Sequence, residues 1–365
     1  MSIVSRALVL LTATVAAVTS ATSVVYADSD DGGYVQTNLV SDIPGLARAT
    51  DPNLKNPWGI TFFPGAPFWI SDNGSGLSTL YDGKGNIVPL VVQIPPPKGS
   101  PSSVTAAPTG IVWNPTQAFK VGTSTFPGIF IFATEDGTLS AWNPNVDGTH
   151  AILEVDNSQA GAVYKGLALA PNSQGVFLFA TNFHAGSIDV FDATFKPVHT
   201  AGGFVDRRIP TGYAPFGITL IDGDLFVTYA VQDAAKHDDV AGEGHGFVDV
   251  FDTDGHLLRR FASHGQLNSP WGVTRASAGF GKFSADVLIG NFGDGRITAF
   301  SSQGDPRGQL RDRRGRTIAI DGLWGLKFGG AAASDPDVLY FTAGLNHEAD
   351  GLFGSVEATR DGDDR

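Results

Sequence analysis

Pro57-Trp58-Gly59-Ile60 recurs down the chain as Pro108-Thr109-Gly110-Ile111, Tyr164-Lys165-Gly166-Leu167, Pro215-Phe216-Gly217-Ile218, Pro270-Trp271-Gly272-Val273 and Leu323-Trp324-Gly325-Leu326. The six glycines stand 51, 56, 51, 55 and 53 residues apart. After each copy comes an apolar run ending in a polar turn, such as Phe68-Trp69-Ile70-Ser71-Asp72-Asn73. An alternating run follows, such as Ser187-Ile188-Asp189-Val190-Phe191, and alternation at period 2 marks a strand with one buried face. Asp82-Gly83, Asp147-Gly148 and Asp254-Gly255 suit the backbone angles of tight hairpins. A fourth, more variable run, such as Leu257 to Phe261, completes the unit.

Four antiparallel strands per repeat, six times over, predict an all-β, six-bladed β-propeller, with rings of five or seven blades as the competing architectures. A single such sheet cannot bury both faces, whereas a ring of six can. Tyr34 to Ser41 precedes the first repeat, and the last repeat has only three clear strands, ending at Ser355-Val356-Glu357-Ala358. The N-terminal strand is therefore expected to complete the last blade and hide both sheet edges.

Composition agrees with this reading. Of 365 residues, 42% are apolar and 17% charged, enough for a large core. The 46 Gly and 21 Pro belong in turns. A net charge of −13 argues against nucleic-acid and anionic-membrane partners. The lack of cysteine excludes disulfides, thiolate nucleophiles and cysteine-held metals. At the N-terminus, Arg6 is the only charge before Asp28, and an apolar, small-residue stretch runs from Ala7 to about Val25. Val25-Tyr26-Ala27 offers a signal-peptidase site, so residues 1–27 read as a signal peptide cleaved after about Ala27. Thr12, Thr14, Thr19 and Ser20 make the stretch a poor membrane anchor. Residues 28–365 are expected to form one exported domain without a membrane span, in the periplasm or outside the cell.

The repeats resemble NHL-type six-bladed propellers. More closely, Asn56-Pro57-Trp58-Gly59-Ile60, the stretch from Tyr229 to Gly255 and Pro270-Trp271-Gly272-Val273 resemble a family of exported, uncharacterised β-propeller proteins. That resemblance implies the fold and export, and no activity. A more distant likeness is to gluconolactonases and paraoxonases, which carry a divalent metal on the axis held by Glu, Asn and Asp. Blade count and loop chemistry alone carry that likeness.

In a propeller, the start of each innermost strand and the loop between the second and third strands share one face, the usual place for ligands. By repeat register, this face receives Asp72 and Asn73, Glu135 and Asp136, Asn182 and His184, Gln232 and Asp233, Asn291 and Asp294, then Asn346, His347 and Glu348. Hard cations such as Ca2+ take oxygens from carboxylates and amides, so Asp72, Glu135, Asn182, Asn291 and Asn346 are the candidate metal ligands. The alternative is a solvated polar rim. Blade 4 adds a charged insertion from Gln232 to Gly246, in which His237 and Asp239, with His184 and His347 elsewhere, are the candidate acid–base or metal-binding groups. Trp58, Phe216, Trp271 and Trp324 hold equivalent positions, where they would stack on a ligand or wedge between blades. Asn143 to Glu154 nearly matches a calcium-loop spacing inside an expected hairpin, with an ordinary turn the better reading. No nucleophile elbow, zinc-protease helix, Walker loop or dinucleotide fingerprint occurs.

Three functions follow: a binding protein holding a small molecule, glycan or protein on the channel face; a metal-assisted lactone or ester hydrolase; or a structural hub.

Overall fold

Each repeat glycine sits where the innermost strand of one blade meets that of the next. A Cβ on Gly272 would lie 2.5 Å from the Trp324 carbonyl oxygen, and one on Gly325 2.6 Å from that of Trp58. Gly59, Gly110, Gly166 and Gly217 face Thr109, Leu167, Phe216 and Trp271 in the same way, so the contacts close a circle of six. A register irregularity at each glycine marks a β-bulge, which turns the preceding side chain off the strand plane. Threonines bridge neighbouring blades: Thr109 Oγ1 donates to the Tyr164 carbonyl at 2.7 Å, Thr181 to Phe216 at 2.7 Å and Thr342 to Trp58 at 2.5 Å.

The computed structural model describes residues 32–359; the expected signal peptide lies outside them. Among these residues the strands form six sheets, one per blade. Blade 1 runs Pro57–Thr61, Phe68–Asp72, Leu77–Tyr81 and Ile87–Gln93 from the axis outward, and blades 2 to 5 repeat that antiparallel order. In blade 6, Leu323–Phe328, Leu339–Gly344 and Asp350–Ala358 are followed by Tyr34–Ser41. Tyr34 lies opposite Ala358 and Ser41 opposite Leu352, so the N-terminal strand does complete the last blade. Ala49–Thr50 adds a short parallel edge. No helix among the described residues is long and apolar enough to cross a membrane.

The bulky residues fill the wedges between blades. Trp69 of blade 1 stacks on Phe130 of blade 2 at 4.1 Å, and Phe68 meets Tyr340 of blade 6 at 4.6 Å. Such pairs contribute roughly 0.5–1.5 kcal/mol beyond their area.

Candidate functional site

The bulges aim Trp58, Phe216, Trp271 and Trp324 at the axis, where rings from blades 1, 4, 5 and 6 meet one another. Trp58 stacks on Trp324 at 3.5 Å, and Trp271 meets both edge-on at 6.0 and 5.7 Å. Phe216 lies 5.8 Å from Trp324, and Phe292 covers its other face at 3.9 Å. All four repeat aromatics are buried, forming a plug across the channel rather than wedges between adjacent blades.

Lys165 stands at the same repeat position in blade 3, and its side chain is only 2% exposed. Its ammonium lies 5.2 Å from the Trp58 ring and 5.8 Å from that of Phe183. It pairs with Glu135 of blade 2 and, at 3.4 Å, with Asp238 of blade 4. Burial works against the lysine charge, but the attraction of Glu135 and then Asp238 holds its pKa above the ordinary value. An ammonium braced by two carboxylates thus sits at the hub.

Amides carry the network onward. Asn73 donates to Glu135 at 2.8 Å, and Asn56 donates to Asn73 at 3.2 Å and to Glu348 of blade 6 at 3.0 Å. Trp324 Nε1 donates to Asn56 Oδ1 at 3.2 Å, tying rim to plug. Burial, reinforced by repulsion from Glu135, raises the pKa of Glu348. Burial likewise raises that of Asp239. Side chains from blades 1, 2, 3, 4 and 6 therefore converge on one acceptor-rich centre.

Two loops make this possible. The blade 4 insertion folds back on itself: Asp233 Oδ1 accepts from the His237 amide at 2.8 Å, and Val240 N donates to the Val231 carbonyl at 2.8 Å. This fold delivers Asp238 to Lys165, with His237 Nδ1 2.8 Å from Asp238 Oδ1. In blade 6, Asn346, His347 and Glu348 all adopt left-handed backbone angles, with φ of 55°, 55° and 67°. Each such non-glycine residue costs roughly 1–2 kcal/mol. That strained turn leaves Asn346 and His347 exposed and swings Glu348 inward. Backbone strain of this kind concentrates at functional sites.

One ligating atom each from Glu135, His237 and Asp238 falls within 4.8 Å of the others, a spacing that a single ion could bridge. Asn73 and Glu348 join the same network, whereas the other candidate ligands go elsewhere. Asp72 is fully buried inside blade 1 near Asp51 and Tyr81, and burial raises its pKa well above the ordinary carboxylate value. Asn182 donates to Asp189 at 3.0 Å and accepts from Val163 and Ala185. Asn291 donates to the Gln266 carbonyl at 2.7 Å and to Asp294 at 3.1 Å. Both asparagines tie their own turn to the segment that enters the innermost strand of the same blade. Asn346 donates to Asp350 at 2.8 Å, and His184 is exposed on the blade 3 turn. Lys165 and Asn56 are the hub residues that sequence reasoning missed. The signal for Lys165 was a charge in a column otherwise occupied by Trp, Phe and Thr.

The Asn143–Glu154 hairpin is closed by its own bonds. Asn143 and Asp147 accept from the amides of Asn145 and Thr149, while Glu154 accepts from Gly122 N at 2.7 Å. Burial, opposed by that one hydrogen bond, pushes the Glu154 pKa up to about 7. The folded value exceeds the unfolded one, so its contribution to stability is complete below about pH 4.3 and is lost as pH rises through 7. Urea titrations of Glu154→Gln at pH 5 and 8 are expected to show a flatter pH dependence than wild type, by about 1–2 kcal/mol after allowance for partial exposure. Parallel curves for the two proteins would refute this assignment.

No family model matches the chain. It is 35% identical over 326 residues to the uncharacterised protein R648 of Acanthamoeba polyphaga mimivirus, covering 87% of this chain and 78% of the viral one. Among solved structures, a virginiamycin B lyase from Staphylococcus aureus aligns with a TM-score of 0.52 at 12% identity, covering 89% of this chain and 99% of the lyase. A gluconolactonase from Xanthomonas campestris aligns at 16% identity over 69% of this chain and 86% of its own, with a TM-score of 0.42. The likeness to the lyase is one of fold.

Proposed function

This chain belongs to the family of the uncharacterised mimivirus protein R648, and from that premise we propose that it is a binding protein whose hub takes a small, hydroxyl-rich molecule such as a sugar unit. The observation that carries this reading is the convergence of Asn56, Asn73, Glu135, Asp238 and Glu348 from four blades around the Lys165 ammonium. Carboxylate and amide oxygens accept from hydroxyls, while Lys165 supplies a donor. Asp238 and His237, with side chains 68% and 47% exposed, form the part of the site a ligand meets first.

The test is a thermal-shift screen of neutral monosaccharides and oligosaccharides, followed by calorimetry with the best binder. Asp238→Ala is expected to weaken binding at least tenfold, the effect of removing a charged acceptor worth about 1.5–3 kcal/mol, with little change in folding. Undiminished affinity in this variant, or no binder in the panel, would defeat the reading.

A metal-assisted hydrolase is the second reading, favoured by the spacing of Glu135, His237 and Asp238. These donors, two carboxylates and an imidazole, fit a divalent cation. Such an ion would polarise a substrate carbonyl, and Glu348, with its raised pKa, would serve as proton donor. Against it stands Lys165, whose ammonium already pairs with both carboxylates and offsets one of their two charges.

A further inference from the structure

The face opposite the hub holds a second cavity, and what is argued from it does not rest on the function proposed above. Below the aromatic plug the channel widens into a cavity of about 420 Å³, with Trp271 in its floor. The residue after each repeat glycine lines it: Ile60, Ile111, Leu167, Ile218, Val273 and Leu326. This ring is wholly aliphatic. One position further along, five blades carry Thr61, Val112, Ala168, Thr219 and Thr274, whereas the sixth carries Lys327.

Lys327 is the only charged residue in the lining. Its ammonium lies 5.7 Å from the Phe62 ring, and no carboxylate or hydrogen-bond acceptor among the described residues pairs with it. A lysine with no acid beside it contrasts with Lys165, which is held by two. We propose that this cavity binds a medium-chain carboxylate, its hydrocarbon tail among the six aliphatic side chains and its anion on Lys327.

The volume lies in the range of small-molecule pockets, and the lining has their usual form of largely apolar walls with a few polar groups, here Thr61, Thr219, Thr274 and the one charge on Lys327. An anion would neutralise the half-buried amine and give it a charge-assisted hydrogen bond that no described residue supplies. Burial alone holds the Lys327 pKa below its ordinary value, as expected of a cation without a partner. A neutral chain of the same length would fill the walls but leave the amine uncompensated.

Calorimetry with octanoate and 1-octanol tests the proposal on the intact domain. Octanoate is expected to bind the wild type at least tenfold more tightly than octanol. Lys327→Met, which removes an unpaired amine and should melt no lower than wild type, is expected to abolish that preference, and Lys327→Arg to keep it. Asp238→Ala should leave octanoate binding unchanged, which separates this site from the hub. Equal affinity for acid and alcohol, no octanoate binding, or a preference that survives Lys327→Met would overturn the proposal.

Discussion

Replacing Lys165 with methionine is expected to destabilise the domain by about 3–5 kcal/mol, the usual cost of breaking a buried ion pair from one side. The substitution keeps most of the side-chain volume between Trp58 and Phe183, so little of the loss is packing. What remains is Glu135, 12% exposed and close to Glu348, without its counter-charge. Removing that charge as well should help: the double variant Lys165→Met/Glu135→Gln is expected to regain at least ~1–2 kcal/mol relative to the single one, as coupled neighbours do. Urea midpoints for the wild type, both single variants and the double variant form the test. A Lys165→Met midpoint equal to that of wild type would show that the hub cation is dispensable.

Deleting residues 34–41 should have an effect of similar or larger size. The strand buries Tyr34, Leu39 and Val40, each worth roughly 1.5–3 kcal/mol. Tyr34 also donates from its hydroxyl to the Phe280 carbonyl at 3.0 Å, reaching back to blade 5. A loss of at least about 5 kcal/mol is expected, because the contacts left between blades 6 and 1, such as Thr342 on the Trp58 carbonyl, do not replace the missing outer strand. The exposed edge of Asp350–Ala358 would then pair with other chains, so concentration-dependent association should accompany the lower melting point. A peptide of residues 34–41 added to the truncated protein is expected to restore part of the stability by strand addition. A truncated protein that melts as the wild type does would contradict the closure.

The fold was legible because its determinants are steric and repeat. A glycine is needed wherever two innermost strands touch, and the spacing of those glycines counts the blades. The site was legible only in part. Repeat register reports which residues reach the correct end of a strand; it does not report where their side chains turn. Asn182 and Asn291 share a register with Asp72, yet the two asparagines bond within their own blades, to the following turn and to the segment entering the innermost strand, and Asp72 is buried in the blade interior. Glu135, Asn73 and Glu348 do reach the centre. For Glu348 the cause is three successive left-handed residues, which no strand pattern announces. Asp238 arrives through a loop that folds on itself, so its partner lies 73 residues away in sequence.

Elemental analysis of the purified domain, with melting curves recorded before and after chelation, addresses the hub most directly. Because Lys165 already serves as its cation, the account predicts no stoichiometric divalent metal and no shift in melting temperature with chelator. One equivalent of tightly bound metal, lost together with stability on chelation and on substitution of His237, would contradict it.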